Sequence, residues 1–185
     1  MASVVAFLEG KLRLKVNEQK SAVARVDERS FLGHRLLPGG RLGLAPKSLV
    51  RAKERLRRIT RRNRGIALDR MISETNSFTT GWVTYFRHAA CKGALMELDE
   101  WLRRKLRCVR LKQCKRQTGI AAFFTECGVP RQRIRLAGMG KGWWRQSGTP
   151  PAHEAMTLKW FAVQGLVSLS AHYAAMQPDG NRRVR

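Results

Sequence analysis

Residues 95–116 read LMELDEWLRRKLRCVRLKQCKR, and this stretch decides the fold class. Its apolar residues recur at helical spacing and therefore share one face of a helix: Leu95, Leu98, Leu102, Leu106 and Val109. The part from Trp101 to Arg116 contains eight Lys and Arg residues and no acidic residue. The sequence therefore predicts a long amphipathic helix with one buried face and one strongly cationic face.

A second cationic segment, Lys47 to Arg64, contains nine Lys and Arg residues against the single acid Glu54. Its predicted apolar stripe consists of Leu49, Ala52, Leu56 and Ile59. The intervening residues 65–100 are nearly balanced in charge, and they carry another helical stripe made of Met71, Thr75, Phe78, Trp82, Tyr85 and Ala89. Two cationic helices are thus expected to flank a nearly neutral one.

The N-terminal residues have a different pattern. We predict a short helix at Ser3–Leu12, strands at Leu14–Asn17 and Ser30–Leu36, a turn at Pro38–Gly40 and a returning strand at Arg41–Leu44. The fold class is therefore expected to be mainly α, with a small N-terminal β hairpin.

Shorter elements are expected beyond residue 116. A helix containing Phe123 ends at Gly128–Pro130, and glycine and proline make residues 138–151 irregular. Two short helices are predicted at Ala155–Gln164 and Ser168–Met176.

The composition indicates a polyanion as the partner. The 185 residues carry a formal charge of +24, and 43% of them are hydrophobic, which excludes a disordered basic tail. Arginine outnumbers lysine in both cationic segments, and its planar guanidinium suits bidentate phosphate contacts. The alternative is that these faces are ordinary solvated helix surfaces.

Neither a metal site nor a catalytic site is indicated. The four cysteines form no CxxC pair and are expected to be reduced thiols: Cys91, Cys108, Cys114 and Cys127. The adjacent acids Asp27–Glu28 and Asp99–Glu100 are expected to be solvated or ion-paired surface groups, so no two-metal centre is predicted. No phosphate-binding loop or nucleophile motif occurs. We therefore expect no cofactor.

No membrane segment or signal peptide is predicted, and a cytoplasmic location is expected. Met1–Leu8 has no basic residue before its short apolar run. Trp160–Pro178 lacks charged residues, but polar residues interrupt it.

The aromatic residues divide into two groups. Four have helical spacing and are expected in the core rather than on a base-stacking surface: Trp82, Tyr85, Phe86 and Trp101. Trp143 and Trp144 lie in a glycine-rich stretch between Lys141 and Arg145. Either at least one of these two rings is available to stack on a base, or both anchor an irregular loop.

Several motifs resemble one family in the expected order. Leu14–Ser21 followed by Ser30–His34 is similar to the last two blocks of the palm of retroelement reverse transcriptases. The motif from Phe78 to Phe86 (Phe-x-x-Gly-Trp-x-x-Tyr-Phe) and Leu98–Arg107 resemble the maturase-specific domain, also called the X or thumb domain, of group II intron reverse transcriptases. Gly140–Arg145, with the pattern of Pro150, Trp160, Gly165, Leu166 and Tyr173, resembles the C-terminal region that follows in that family.

This resemblance implies a helical thumb or X-type bundle with an α+β remnant of a polymerase palm. It divides the chain into a palm end (1–45), a maturase-specific domain (46–116) and a basic helical C-terminal region (117–185). The family's catalytic Tyr-x-Asp-Asp block would precede Leu14, where only thirteen residues stand, and no zinc-bearing endonuclease domain follows Arg185. We therefore expect no polymerase site in this chain.

In that family the X domain grips the intron RNA, which itself performs splicing. The resemblance thus implies an RNA-binding maturase-type protein whose partner is group II intron RNA. Phosphate contacts are expected from Arg51, Arg55, Arg58, Arg61, Arg62, Arg103, Arg104, Arg107, Arg110, Lys112, Lys115 and Arg116. Contacts with RNA or target DNA are expected from Lys141, Trp143, Trp144 and Arg145.

Two alternatives remain open at this point. The chain is either the C-terminal half of a split or truncated reverse transcriptase, which pairs with a separate fingers–palm fragment, or a non-functional remnant of one.

Overall fold

The computed structural model describes residues 2–17, 25, 29–137 and 142–177, and this part of the chain is mostly helical. The helices are α1 (Ala2–Gly10), α2 (Pro46–Ile59), α3 (Leu68–Tyr85), α4 (Lys92–Gln113), α5 (Gln117–Glu126), α6 (Arg131–Ala137), α7 (Trp143–Gln146), α8 (Pro150–Ala155), α9 (Leu158–Val163) and α10 (Leu169–Ala175). None of the described helices is long and apolar enough to cross a membrane. The predicted features at Glu18–Ser21, Asp27–Glu28 and Lys141 lie outside the described residues.

A three-stranded antiparallel sheet confirms the predicted N-terminal β element. Its strands are β1 (Ser30–Phe31), β2 (His34–Leu36) and β3 (Leu42–Leu44), in that order. The single strand predicted at Ser30–Leu36 is wrong in detail, because Leu32 and Gly33 take left-handed φ values of 50° and 80° and reverse the chain. β1 and β2 therefore form a hairpin of their own.

Gly33 anchors the sheet to the helices. A Cβ atom at this position would lie 2.8 Å from Ser48 Oγ and 3.1 Å from the Phe86 ring, so only glycine fits. The Gly33 carbonyl accepts hydrogen bonds from Ser48 Oγ (3.0 Å) and from the Ala45 amide (3.0 Å).

The predicted strand at Leu14–Asn17 is wrong. These residues belong to no strand, because the backbone there is bonded to α1 instead. The Leu14 amide donates to the Leu8 carbonyl (3.0 Å), and the Val16 amide donates to the Glu9 carboxylate (3.2 Å).

Helix α4 supplies the central leucines of the core, as its apolar stripe predicted. Leu95, Leu98, Leu102 and Leu106 are buried, and one hydrophobic cluster joins them to residues of α2, α5, α9 and α10. The predicted boundary at residue 116 lies in the turn between α4 and α5. This cluster continues on both sides of it, and the three-part division of the chain stays a prediction.

The C-terminal elements differ in part from expectation. The irregular stretch predicted at residues 138–151 contains the short helix α7. The helix predicted at Ala155–Gln164 begins later than predicted: Ala155 ends α8, and α9 begins at Leu158, because Thr157 Oγ1 accepts the Trp160 amide and caps the new helix (3.2 Å). Helix α6 was not predicted. Helix α5 ends before Gly128, which has a φ of 81°, as the turn chemistry indicated.

Asp99 is not a surface residue, so the prediction for it is wrong. Its side chain is only 4% exposed and accepts four hydrogen bonds from the start of α10. The donors are the Leu169 and Ser170 amides (2.9 and 3.0 Å) and the Ser168 and Ser170 hydroxyls (2.8 and 2.7 Å). A carboxylate is stable there because the first amides of a helix lack intrahelical acceptors. Asp99 thereby fixes α10 against α4.

We expect the substitution Asp99→Ala to lower the free energy of unfolding by about 1–3 kcal/mol, because buried donors would lose their acceptor. The neighbouring Glu100 is exposed and is the matched control, since Glu100→Ala should change stability by less than about 0.5 kcal/mol. Urea denaturation measures both variants. Equal effects would contradict the assigned role of Asp99.

Candidate nucleic-acid interface

Helices α2 and α4 bring two cations to one tryptophan. The Arg57 guanidinium lies 5.8 Å from the centre of the Trp101 ring, and Lys105 Nζ lies 5.7 Å from it. Trp101 also packs against the hydrophobic core, as predicted. Both cations therefore lie within cation–π distance of the Trp101 ring.

Trp144 on α7 extends this arrangement. The Arg104 guanidinium lies 4.2 Å from the centre of the Trp144 ring, and Lys105 Nζ lies 5.6 Å from it. Lys105 therefore joins the two tryptophans. We call Arg57, Trp101, Arg104, Lys105 and Trp144 the cation–tryptophan surface.

A basic cleft adjoins this surface. Arg61, Arg62, Lys112 and Trp143 line a cavity of about 430 Å³, and Lys115 lines a neighbouring cavity together with Arg61, Arg62 and Lys112. Lys112 Nζ donates to the Arg62 carbonyl (3.1 Å), which fixes the loop after α2 against α4. We use the name basic cleft for these five residues.

The two regions are electrostatically coupled. Burial lowers the pKa of Lys105, the Cys108 thiol acts in the opposite direction, and the charges of Arg62 and Arg57 lower the pKa further. These cations therefore repel one another. An anion bound between them would relieve that repulsion.

Carboxylates do not neutralise these cations within the described part of the chain. The ion pairs found there join Arg64 and Arg70 to Glu74, and Arg133 to Glu154. None of them includes a residue of the cation–tryptophan surface or the basic cleft. The positive potential of both regions is thus available to an external polyanion.

The sequence of this region matches one family model. Residues 49–127 match the group II intron maturase-specific domain. Residues 49–127 are therefore similar to this domain, and we call them the maturase-specific domain. The match confirms the resemblance of Phe78–Phe86 and Leu98–Arg107 to this domain, and it covers both cationic segments except Lys47 and Ser48. The palm-like motifs, Trp143 and Trp144 lie outside it. Among curated proteins, none matches the chain significantly.

Arg107 of the maturase-specific domain is buried, which does not fit the surface phosphate contact predicted for it. It is 7% exposed, and its Nε and Nη2 atoms donate to the Met156 carbonyl (3.2 and 3.1 Å). Burial, with the charges of Arg103 and Arg104, lowers the pKa of Arg107 to about 10. The residue is still charged at neutral pH, and it connects α4 to the end of α8.

The other predicted contacts of the domain occupy several faces. Arg110 lies over the Phe123 ring at 4.4 Å, on the flank of α4 that faces α5. Helical periodicity directs three exposed residues of α2 about 100–160° away from Arg57: Arg51, Arg55 and Arg58. Arg103 lines a groove beside Arg104, while Arg116 and Arg145 are exposed. The structure thus brings together Arg61, Arg62, Arg104, Lys112, Lys115, Trp143 and Trp144.

Some residues of the interface were missed by the sequence reasoning. Arg57 and Lys105 were not among the predicted contacts, and Trp101 was assigned only to the core. The four-residue spacing of Trp101 and Lys105 on α4 was the available signal. Tyr85 was expected in the core but is 55% exposed, and its hydroxyl donates to the Leu32 carbonyl (2.9 Å).

Lys115 of the basic cleft has a strained backbone. Its φ is 62°, just after the end of α4, where glycine is the usual residue. A residue with a Cβ loses about 1–2 kcal/mol in this conformation. The lysine therefore keeps a positive charge in the cleft at the expense of stability.

We expect Lys115→Gly to raise the free energy of unfolding by about 1 kcal/mol and to weaken binding to an RNA duplex. Lys115→Ala removes the same charge but keeps the Cβ, so it should weaken binding without stabilising the fold. Urea denaturation and fluorescence anisotropy measure the two effects. A stabilised Lys115→Ala variant would contradict the role given to the backbone.

Proposed function

We propose that this protein binds structured group II intron RNA and assists its splicing as a maturase-type cofactor. The observation that supports the proposal is a concentration of cations that form no ion pair with the described residues, together with Trp143 and Trp144 beside the maturase-specific domain. The RNA contacts are assigned to the cation–tryptophan surface and the basic cleft.

The arrangement suits RNA for a physical reason. Packed helices lie about 8–10 Å apart, so α2 and α4 present two close rows of cations. Folded RNA brings phosphates of different strands close together, and their mutual repulsion limits folding. Cations from two helices neutralise such phosphates, and the released counterions add to the affinity.

We assign no chemical reaction to the protein itself. The RNA performs splicing, and the protein stabilises its active fold. Asp99 belongs to the predicted acid pair on α4. Its carboxylate oxygens already accept hydrogen bonds from α10, so we assign no metal ion to it.

We expect the logarithm of the association constant for intron RNA to fall with the logarithm of salt concentration, with a slope of about −5 to −6. This slope corresponds to seven cations: Arg57, Arg61, Arg62, Arg104, Lys105, Lys112 and Lys115. Filter binding between low and physiological salt measures it. A slope shallower than about −2 would contradict extensive phosphate contact.

The double substitution Arg61→Ala with Arg62→Ala should make the salt slope shallower by about 2. It should also weaken binding roughly tenfold to thirtyfold at physiological salt, because two counterion-releasing contacts are lost. The matched control is Arg70→Ala with Lys92→Ala, which removes the same charge from exposed positions outside the interface. Equal losses in the two double variants would indicate that net charge alone governs binding.

The assistance to splicing needs a separate assay. We expect the protein to raise the splicing rate of a group II intron RNA that it binds at low magnesium concentration, where the RNA alone folds poorly. The Arg61→Ala, Arg62→Ala variant should lose most of this effect. RNA binding without any gain in splicing would contradict the maturase role but not the RNA-binding role.

The exposed apolar surface of the sheet favours one alternative. Phe31 is 78% exposed and Leu32 67% exposed, and such residues are usually covered by another protein surface. A separate fingers–palm fragment of a reverse transcriptase would provide that cover. Primer extension that appears only when such a fragment is added would support this alternative, and activity of this chain alone would contradict the absence of a polymerase site.

A further inference from the structure

A groove lies beside the cation–tryptophan surface, between α4 and the turn that joins α7 to α8. Its volume is about 690 Å³, within the roughly 300–1,000 Å³ range of small-ligand pockets. Arg104 and Trp144 line it together with Glu97, Glu100 and His153. Trp101, Arg103 and Arg107 line it as well, so the groove combines two indole rings, three guanidiniums, two carboxylates and an imidazole.

The flat part of the groove is preorganised for stacking. The Arg104 guanidinium lies against Trp144 on one side and the Gly148 turn on the other, where an added Cβ would lie 3.1 Å from Nη2. Trp144 is still 41% exposed. Unpaired bases in RNA stack on such aromatic rings.

Arg104 also has an unused hydrogen-bond donor. Its Nε atom is buried and has no partner among the described residues. A buried donor without an acceptor is destabilising, so a turn of the guanidinium that brings Nε to a ligand oxygen or ring nitrogen in the groove would remove that cost. The groove thus offers a donor in addition to its stacking surface.

The carboxylates decide which part of a nucleotide fits. Glu97 and Glu100 are exposed, line the groove and form no ion pair within the described part of the chain. Their oxygens accept a hydrogen bond from an amino group, such as the one that cytosine presents, whereas the three arginines of the groove attract the phosphate of the same nucleotide. Burial, with the charges of Arg107 and Arg104, lowers the pKa of His153, so the neutral imidazole offers an acceptor at pH 7.

We propose that this groove receives an unpaired, amino-bearing nucleobase from the bound RNA. The base stacks on Trp144, its amino group donates to Glu97 or Glu100, and its phosphates lie towards Arg104 and Lys105. The inference rests on the proposed RNA binding. It adds that the preferred RNA is a helix interrupted by an unpaired cytidine or another amino-bearing base.

The test compares three hairpin RNAs of equal length: one fully paired, one with a single unpaired cytidine and one with a single unpaired uridine. Wild-type protein should bind the cytidine hairpin about tenfold more tightly than the paired hairpin, in line with base–aromatic stacking energies. Uridine should give a smaller gain, because its O4 atom would face the carboxylates. Fluorescence anisotropy measures the three affinities.

Substitutions in the groove distinguish the contribution of base stacking from that of the carboxylates. Trp144→Leu should reduce the preference for the cytidine hairpin to less than about twofold, and Trp144→Phe should restore part of it. Glu97→Gln with Glu100→Gln should narrow the difference between cytidine and uridine. Tyr85→Leu alters another exposed aromatic residue, beside the sheet, and should leave the preference intact.

The outcomes distinguish this inference from the proposed function. Equal wild-type binding to all three hairpins with a steep salt dependence would overturn the base-binding groove and leave RNA binding in place. The same conclusion holds if Trp144→Leu weakens binding to all three equally. Failure to bind any of the hairpins, or the intron RNA, would overturn both proposals.

Discussion

Burial of one face of α4 is the constraint on which the rest of the structure depends. Its leucines form the centre of the hydrophobic cluster, so the rotation of this helix about its axis is fixed. Because the rotation is fixed, the direction of every cation on α4 is fixed as well. Lys105 and Lys112 then face α2, Arg110 faces α5, and Arg107 is directed into the interior.

The cationic residues on α4 are accommodated in different ways. The Arg107 charge is stabilised by the Met156 carbonyl, whereas Arg104 and Lys105 lie against tryptophan rings and have no carboxylate partner among the described residues. Like charges held this closely destabilise the fold unless an anion is bound. The backbone of Lys115 also lowers the stability of the fold. A glycine would adopt its left-handed conformation without strain, but the lysine keeps a positive charge in the basic cleft. The maturase-specific domain thus holds mutually repelling cations close together at the surface where RNA is proposed to bind.

The C-terminal helices contribute side chains to the candidate interface. Trp143 and Trp144 lie outside the residues matched to the maturase-specific domain, yet they contribute a side of the basic cleft and a ring of the cation–tryptophan surface. The hydrogen bonds from α10 to Asp99 and from Arg107 to Met156 attach these helices to α4. Assembly of the interface therefore depends on polar contacts between residues far apart in the sequence.

The sequence by itself determined the helical class, the buried stripes and the cationic character, because 3.6-residue periodicity and composition are local properties. It also indicated the family, and the match to residues 49–127 confirms the motifs at Phe78–Phe86 and Leu98–Arg107. It could not place Asp99 in the interior, since the partners of that carboxylate lie seventy positions away. Only the tertiary structure decided that Arg57 and Lys105 share a surface with Trp144 while Arg51 and Arg110 do not. Periodicity gives the angle of a side chain around its own helix, but the neighbour it meets depends on which helix packs there.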